Sequence, residues 1–349
     1  QNIKRRTMAA AQKVVFVGCG KMGLPMAKSL ARTQPRWHVV AYDAATHVRA
    51  ALPAHGLTAA ADLEAAVRDA DVVVTALPAP ADVAATLIDG PAALFERASP
   101  EKKKKNTVFV DCTTVSPRHA REFQQRAAHR GFDMVDAPVS GGVPAAEAGT
   151  LTFMLGGTDE ACARALPTLQ AMGAGPKVVR AGGPGAGAAA KLCNNLMLAI
   201  QMVGVAEGFV LAERVGLAPE ALWAIASTAT ARCWALNDYP PVPHVGTATS
   251  PANRDFAPGF AARLMLKDLR LAADAAREAG AGTPLGDRAR ALYEAMVAGS
   301  SDGASDGDRD FSGIIDLVRS LGVVDEAAPA ANSGASGGPP QDSSSSSGC

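Results

Sequence analysis

The chain predicts a two-part architecture: an α/β domain built on a mostly parallel sheet, then an all-α domain, the two joined by one long helix. Three observations carry this expectation. Between Lys13 and about Arg180, short β-branched runs alternate with alanine-rich segments of helical character, the pattern of a parallel sheet with helices on both faces. Gly182-Gly183-Pro184-Gly185 then interrupts the chain, and the residues from Ala186 to about Arg214 run on without proline. Beyond them the apolar spacing is helical and no clear strand returns.

Taken in order, Val14–Val17, His38–Tyr42, Val72–Ala76, Val108–Val110 and Phe132–Val135 read as buried strands, each followed by turn chemistry or a helix. Leu151–Leu155 and Lys177–Val179 read as two further strands that close the domain. The Lys102–Lys105 run reads as a solvated loop insertion, because adjacent like charges repel. After the long helix, Pro219–Thr228, Arg263–Ala279 and Pro284–Val297 read as helices, and Ser300–Asp310 as a Gly/Ser/Asp loop. The expected boundaries are an N-terminal extension over 1–12, the α/β domain over 13–180, the helical domain over 181–325 and a disordered tail over 326–349. The tail is Ala, Pro, Ser and Gly, which cannot build a core.

Composition narrows the function classes. With 48% hydrophobic residues in 349, the chain has ample material for buried cores. Its 34 basic residues equal its 34 acidic ones, so no net positive field draws nucleic acid or an anionic membrane. The cysteines (Cys19, Cys112, Cys162, Cys193, Cys233 and Cys349) form no CxxC and the histidines no HExxH, which speaks against a metal site. Scattered single thiols suit a reducing compartment and read as small buried hydrophobes plus one exposed thiol in the tail. No run of about 18 apolar residues is free of polar interruption, so no membrane span is expected. The opening Gln1–Met8 is basic and free of acids, compatible with the remnant of a mitochondrial transit peptide or with unrelated upstream sequence.

The strand Val14–Val17 runs straight into Gly18-Cys19-Gly20-Lys21-Met22-Gly23 and then into the helical Leu24–Leu30. A GxGxxG alone is weak; after a strand and at the opening of a helix it becomes the dinucleotide fingerprint of a Rossmann domain. Gly18 permits the tight turn, Gly20 lets the backbone approach a pyrophosphate, and Gly23 lets helix pack on strand. Lys21 and Met22 fall in the same turn, at a helix N-terminus whose N–H groups and partial positive charge suit phosphates. Asp43 ends the second strand, 20 residues beyond Gly23. A carboxylate there accepts from the adenine-ribose hydroxyls and repels a 2′-phosphate. Ala44 and Ala45 follow, with no arginine to receive such a phosphate, so NAD is expected in preference to NADP.

Lys191 is the only charged residue between Arg180 and Glu207, with Asn195 one turn on and on the same helix face. An ammonium in so apolar a setting is costly unless it has partners or its pKa falls. A lysine of depressed pKa can exchange a proton with a substrate hydroxyl. The alternative is a surface lysine that snorkels to solvent.

With these blocks in view, the sequence over about residues 13–322 resembles the β-hydroxyacid dehydrogenase family. Gly23-Leu24-Pro25-Met26-Ala27 is similar to its N-terminal signature. Asp136-Ala137-Pro138-Val139-Ser140-Gly141-Gly142, running on through Gly149-Thr150-Leu151, resembles its substrate-binding signature. Gly187 to Asn195 resembles the catalytic-lysine block, and Leu266-Lys267-Asp268-Leu269 the C-terminal block on the cofactor side. Arg232-Cys233-Trp234, Tyr239 to Pro243 and Gly259-Phe260 look more like the hydroxyisobutyrate branch than the tartronate semialdehyde or glyoxylate reductase branches.

The resemblance implies a metal-free, NAD-dependent oxidation of 3-hydroxyisobutyrate to methylmalonate semialdehyde, a step of valine breakdown. It implies Lys191 as general acid/base, Ser140, Gly141 and Gly142 as the cradle of the substrate carboxylate, and Asn195 as the residue that orients substrate. It further implies Leu77 and Pro78 beside the cofactor, Thr114 at the nicotinamide end, Lys267 reaching the cofactor from the helical domain and Phe260 lining the cleft. A homodimer or homotetramer built through the long helix is expected, in the mitochondrial matrix of a eukaryote or otherwise in the cytoplasm. Asp82 departs from the branch, which carries asparagine there. Two other readings stand beside this one: a family member acting on another small semialdehyde or hydroxy acid, and a non-catalytic dinucleotide-binding module.

Overall fold

The computed structural model describes residues 12–90, 93–97, 107–299 and 306–321. The basic start, the Lys102–Lys105 run and the serine-rich tail lie outside these residues.

Among the described residues the α/β part holds strands β1 (Lys13–Val17), β2 (His38–Tyr42), β3 (Thr58–Ala59), β4 (Val72–Thr75), β5 (Val108–Asp111), β6 (Asp133–Asp136), β7 (Val139–Ser140), β8 (Leu151–Gly156) and β9 (Gly173–Gly182). Strands β3-β2-β1-β4-β5-β6 form one parallel sheet in that order. Strands β6 and β7 lie end to end along one edge of the antiparallel β8, with Asp136 opposite Gly156 and Ser140 opposite Thr152. Strand β9 runs parallel along the other edge of β8.

The valine runs are apolar throughout because both faces of the sheet are covered. Alternate residues serve opposite cores: Val14, Phe16, Val72, Val74, Val108 and Val110 pack on one face. Val15, Val17, Val73 and Phe109 pack on the other. The strand order reverses between β1 and β4, and ligands of such sheets bind outside the carboxyl ends at that reversal. The anticipated strands all occur. Strands β3 and β7, two residues each, carry too little periodicity to read. Strand β9 starts at Gly173, four residues before the expected Lys177, because glycine, alanine and proline give no β signal.

The long helix spans Ala186–Arg214, as its lack of proline predicts. By length and mean hydropathy (1.6) it is apolar enough to cross a membrane, although Lys191, Asn194, Asn195, Gln201 and Glu207 interrupt the apolar run as expected. One face is buried, and Ala199, Met202, Val203, Ala206 and Phe209 pack there against Met265, Leu266, Leu269, Leu292, Tyr293 and Ile315. These partners come from the helices Ala262–Ala279, Pro284–Ala298 and Ile314–Ser320. The last is two turns long, too short for its pattern to be read. Cys19, Cys112 and Cys162 are buried as expected of small hydrophobes, but Cys193 on the long helix is exposed, against that expectation.

The segment read as the Ser300–Asp310 loop is ordered over its described end. Asp306–Asp308 forms one 3-10 turn, and Asp310 is wholly buried. Its Oδ2 accepts from Tyr239 Oη (2.8 Å), Gly259 N (2.9 Å) and Phe260 N (2.9 Å), and its Oδ1 from Ser312 N (3.0 Å) and Ser312 Oγ (2.7 Å). Five donors converge on one carboxylate, so Asp310→Asn, which turns one acceptor into a donor, destabilises the fold by about 1–3 kcal/mol. Urea unfolding of the two proteins measures this, and equal midpoints would refute it.

Candidate active site

The glycine turn leaves β1 at Gly18, whose φ of +93° suits glycine, and a Cβ there would lie 2.4 Å from Ala76 O and 3.0 Å from the Leu77 side chain. Leu77, at the end of β4, therefore borders the turn, and its N–H is fixed by Thr113 Oγ1 at 3.0 Å. A Cβ on Gly23 would meet Gly18 O at 1.8 Å, whereas one on Gly20 would meet nothing within 4 Å. Gly18 and Gly23 are thus demanded by packing, and Gly20 leaves open space over the turn for a pyrophosphate to approach. The helix that follows, Gly23–Thr33, has neither a side-chain cap nor an acid in its first turn, which keeps its N-terminal field available to an anion. These residues fit a dinucleotide.

Asp43 sits where the ribose is expected. Its Oδ2 accepts from Cys19 N (2.8 Å) and its Oδ1 from Ala45 N (2.9 Å), tying the end of β2 to the glycine turn. The structure corrects one detail of the sequence reading. Arg49, in the helix Thr46–Ala51, donates to the carbonyls of Asp43 (2.5 Å) and Ala44 (2.8 Å) and lies over the Tyr42 ring, 5.2 Å from its centroid. An arginine does stand beside Asp43, brought back by a helical turn rather than by adjacency. Cys19, inside the turn, is inert: burial pushes its thiol up to about 12, with Asp43 adding to the shift.

The helical side supplies the ionisable cluster. Lys191 is buried (9% exposed) and donates to Asn195 Oδ1 at 3.1 Å. Asn195 Nδ2 donates in turn to Asp268 Oδ2 at 2.6 Å, and Lys267 lies 3.2 Å from Asp268 Oδ1. Lys267 also donates to Thr114 O at 3.3 Å, so it ties the helical part to the loop after β5. Burial lowers the pKa of Lys191 below the ordinary lysine value, partly opposed by Asp268, with Lys267 adding to the lowering. The snorkelling alternative is excluded by this burial. Asp268 was the residue missed: it shares the buried helix face with Met265, Leu266 and Leu269, and a carboxylate on an apolar face is the signal that could have found it.

Other expected site residues fall as follows. Ser140 lies on β7, and Gly141 and Gly142 follow it with φ of +131° and +67° at the start of the helix Gly142–Ala148. Thr114 does not cap the next helix; Ser116 does, accepting from His119 N, and Thr114 meets Lys267 through its backbone carbonyl. Pro78 and Lys21 are exposed and Met22 half-buried. Lys21 lies near enough to Asp308 to help Arg263 hold that carboxyl below its usual range. Phe260 packs edge-on against Phe311 (5.7 Å) in the helical core, and its N–H donates to Asp310 Oδ2. Asp82 is exposed in the first turn of the helix Pro80–Leu87, where the dipole favours a carboxylate. At the C-terminal end of β5, Asp111 is buried; burial lifts its carboxyl to about 6 although Thr113 and Thr75 donate to it.

A dinucleotide turn at the sheet's switch point, together with a helical part that holds a buried lysine of lowered pKa, fits an NAD-dependent dehydrogenase. Comparison with known proteins agrees. Residues 13–183 match the NAD binding domain of 6-phosphogluconate dehydrogenase, and residues 185–318 the domain described as NAD-binding of NADP-dependent 3-hydroxyisobutyrate dehydrogenase. A probable 3-hydroxyisobutyrate dehydrogenase of Mycobacterium tuberculosis is 41% identical, covering 88% of this chain and 97% of its own. The mitochondrial 3-hydroxyisobutyrate dehydrogenase of Drosophila melanogaster is 38% identical over 90% of this chain and 91% of its own. The solved M. tuberculosis 3-hydroxyisobutyrate dehydrogenase with L-serine superposes with a TM-score of 0.78 at 40% identity, over 89% of this chain and 100% of that one. The chain belongs to the 3-hydroxyisobutyrate dehydrogenase family.

Proposed function

We propose that this chain oxidises 3-hydroxyisobutyrate to methylmalonate semialdehyde with NAD, and that Lys191 is its general base. The observation that carries the reading is the buried Lys191–Asn195–Asp268 relay, which a module that only bound a dinucleotide would not need. NAD, when bound, accepts the hydride from the carbinol carbon. The chain's own residues do the rest. Lys191 Nζ takes the hydroxyl proton, and Asn195, held by Asp268, fixes the amine. Ser140 Oγ and the backbone N–H groups of Gly141 and Gly142 hold the substrate carboxylate, a donor set suited to an anion. Leu77, Pro78, Thr114 and Lys267 border the cofactor, Gly18 to Gly23 carry its phosphates, and Asp43 takes its ribose. Phe260 acts from further back, through the hydrogen bond that its N–H donates to the Asp310 carboxylate.

L-Serine is the second substrate to weigh, because a relative 40% identical over 82% of this chain is an NAD-dependent L-serine dehydrogenase of Pseudomonas aeruginosa. Serine and 3-hydroxyisobutyrate share the primary hydroxyl and the carboxylate and differ in one side group, ammonium against methyl. The test is NADH formation at saturating NAD with 3-hydroxyisobutyrate, L-serine, 3-hydroxypropionate and 4-hydroxybutyrate. The highest kcat/KM is expected for 3-hydroxyisobutyrate; a higher value for serine would move the assignment, and silence on all four would refute it.

The reading includes a homodimer through the long helix. Met197, Leu211 and Val215 are exposed and share one helix face with Gly204 and Gly208, whose missing side chains leave open space. Such a face, apolar with small residues at its centre, suits close approach by the same helix of a second copy. Replacing Leu211 by glutamate is expected to yield monomers in light scattering, and an unchanged mass would exclude this face. Mitochondrial relatives such as the Drosophila enzyme make the matrix the address expected in a eukaryotic cell.

A further inference from the structure

The long helix that carries Lys191 lacks an ordinary cap. Its N-cap is Gly185, with φ of +81° and no side chain to receive the first-turn N–H groups. The donors are served from another element. Asp136, at the end of β6 and 2% exposed, accepts from Gly185 N through Oδ1 at 3.0 Å and from Ala188 N through Oδ2 at 2.7 Å. Gln124 Nε2 steadies the same carboxylate at 2.6 Å from the side. A carboxylate at a helix N-terminus gains from the dipole as well as from the two bonds.

The backbone around this contact leaves no slack. A Cβ on Gly187 would lie 2.1 Å from Met154 O and 2.9 Å from Asp136 Oδ2, and one on Gly156 2.6 Å from Gly187 N. The first turn of the helix is therefore pressed onto the end of β8 and onto Asp136. Lys191 follows Ala188 by one turn. On the other side, only Ala137 and Pro138 separate Asp136 from β7, and both strands are registered on β8.

We infer that Asp136 is a positioning residue that sets the distance between the Lys191 amine and the Ser140–Gly142 cradle, acting through the first turn of the helix and not by touching substrate. The inference rests on the proposed role of Lys191 as base. One carboxylate joins the two halves of the site: the strand that leads to the carboxylate cradle and the helix that carries the proton acceptor. A displacement of about 1 Å between reacting groups costs on the order of 100-fold in rate, which is why a residue outside the substrate shell can matter so much.

The experiment is a double-mutant cycle between Asp136→Asn and Lys191→Ala, read by single-turnover NADH formation, with NAD affinity measured by titration. Asparagine keeps one acceptor and loses the charge. In the wild-type background Asp136→Asn is expected to lower kcat by about 10- to 100-fold, with the NAD Kd unchanged and Asp136→Ala worse than Asp136→Asn. In the Lys191→Ala background the same change is expected to cost less than about twofold, because nothing is left to position. Equal losses in both backgrounds, or an unchanged kcat in the first, would overturn the inference. Near-normal turnover of Lys191→Ala itself would instead overturn the role of Lys191, so the two failures are distinct. If Asp136→Asn does not fold, Gln124→Met frees the carboxylate laterally and keeps both bonds to the helix. A loss of about threefold to tenfold with the same dependence on Lys191 is then expected, and a loss independent of Lys191 refutes the inference.

Discussion

Alanine at position 191 lowers the turnover of hydroxyacid oxidation by about 100- to 10,000-fold, the span of a lost general base, while NAD affinity is unchanged. The expectation follows from where the ammonium sits. Its partners are Asn195 and, through it, Asp268, none of which belongs to the glycine turn that takes the dinucleotide. Burial favours the neutral amine, the form that accepts a proton, and Asp268 only partly opposes this. In the oxidative direction kcat/KM therefore falls as pH drops through the lysine pKa, on a limb below the ordinary value of about 10.4. In the reductive direction the ammonium is the donor, so the limb is reversed and the rate falls as pH rises. Asp268→Asn removes the carboxylate that raises the pKa and moves both limbs to lower pH. Lys191→Arg discriminates further, since a guanidinium keeps the charge but cannot give up its proton; it is expected to be as inactive as alanine. Stopped-flow NADH formation across pH checks each statement, and near-normal turnover in Lys191→Ala would remove Lys191 from the chemistry.

The parts of this site written along one segment were legible, and the parts assembled from several were not. Gly18, Gly20, Gly23 and Asp43 lie within one βαβ stretch, so spacing alone exposes them. Lys191 stands out because no other charge lies near it in sequence. Asp268 and Asp136 sit in recognisable blocks, yet their tasks depend on partners 73 and 52 residues away, and no local pattern encodes such a pairing. By composition Asp310 belongs to a loop, because Gly, Ser and Asp are turn residues; only the fold shows that Tyr239, Gly259, Phe260 and Ser312 converge on it. The same applies to Arg49. Reading the residues next to Asp43 finds two alanines, whereas the helix Thr46–Ala51 folds the guanidinium back onto the strand end.

Exchange of Asp43 for serine shifts cofactor preference from NAD toward NADP by about 100- to 10,000-fold in the ratio of kcat/KM values. Two effects of similar size combine. Loss of charge-assisted hydrogen bonds to the ribose hydroxyls costs about 1.5–3 kcal/mol, or roughly 10- to 150-fold in NAD affinity. Removal of a carboxylate from the place a 2′-phosphate would occupy lifts a like-charge repulsion of the same order. Arg49 decides how much of the second effect becomes affinity. Its guanidinium already lies beside residue 43, stacked on Tyr42 and bonded to two carbonyls, and a planar fork of donors suits a phosphate. With Asp43 in place the carboxylate holds an anion off; with serine the arginine faces it unopposed. The gain for NADP should therefore vanish in Asp43→Ser/Arg49→Ala and weaken with added salt, as a partly exposed charge pair does. Asp43 also accepts from Cys19 N and Ala45 N, so serine, whose hydroxyl can keep one of these bonds, is the better replacement than alanine. Steady-state kinetics with both cofactors checks the argument: an NADP gain that survives loss of Arg49 would assign the phosphate to another group, and an unchanged ratio in Asp43→Ser would remove Asp43 from cofactor choice.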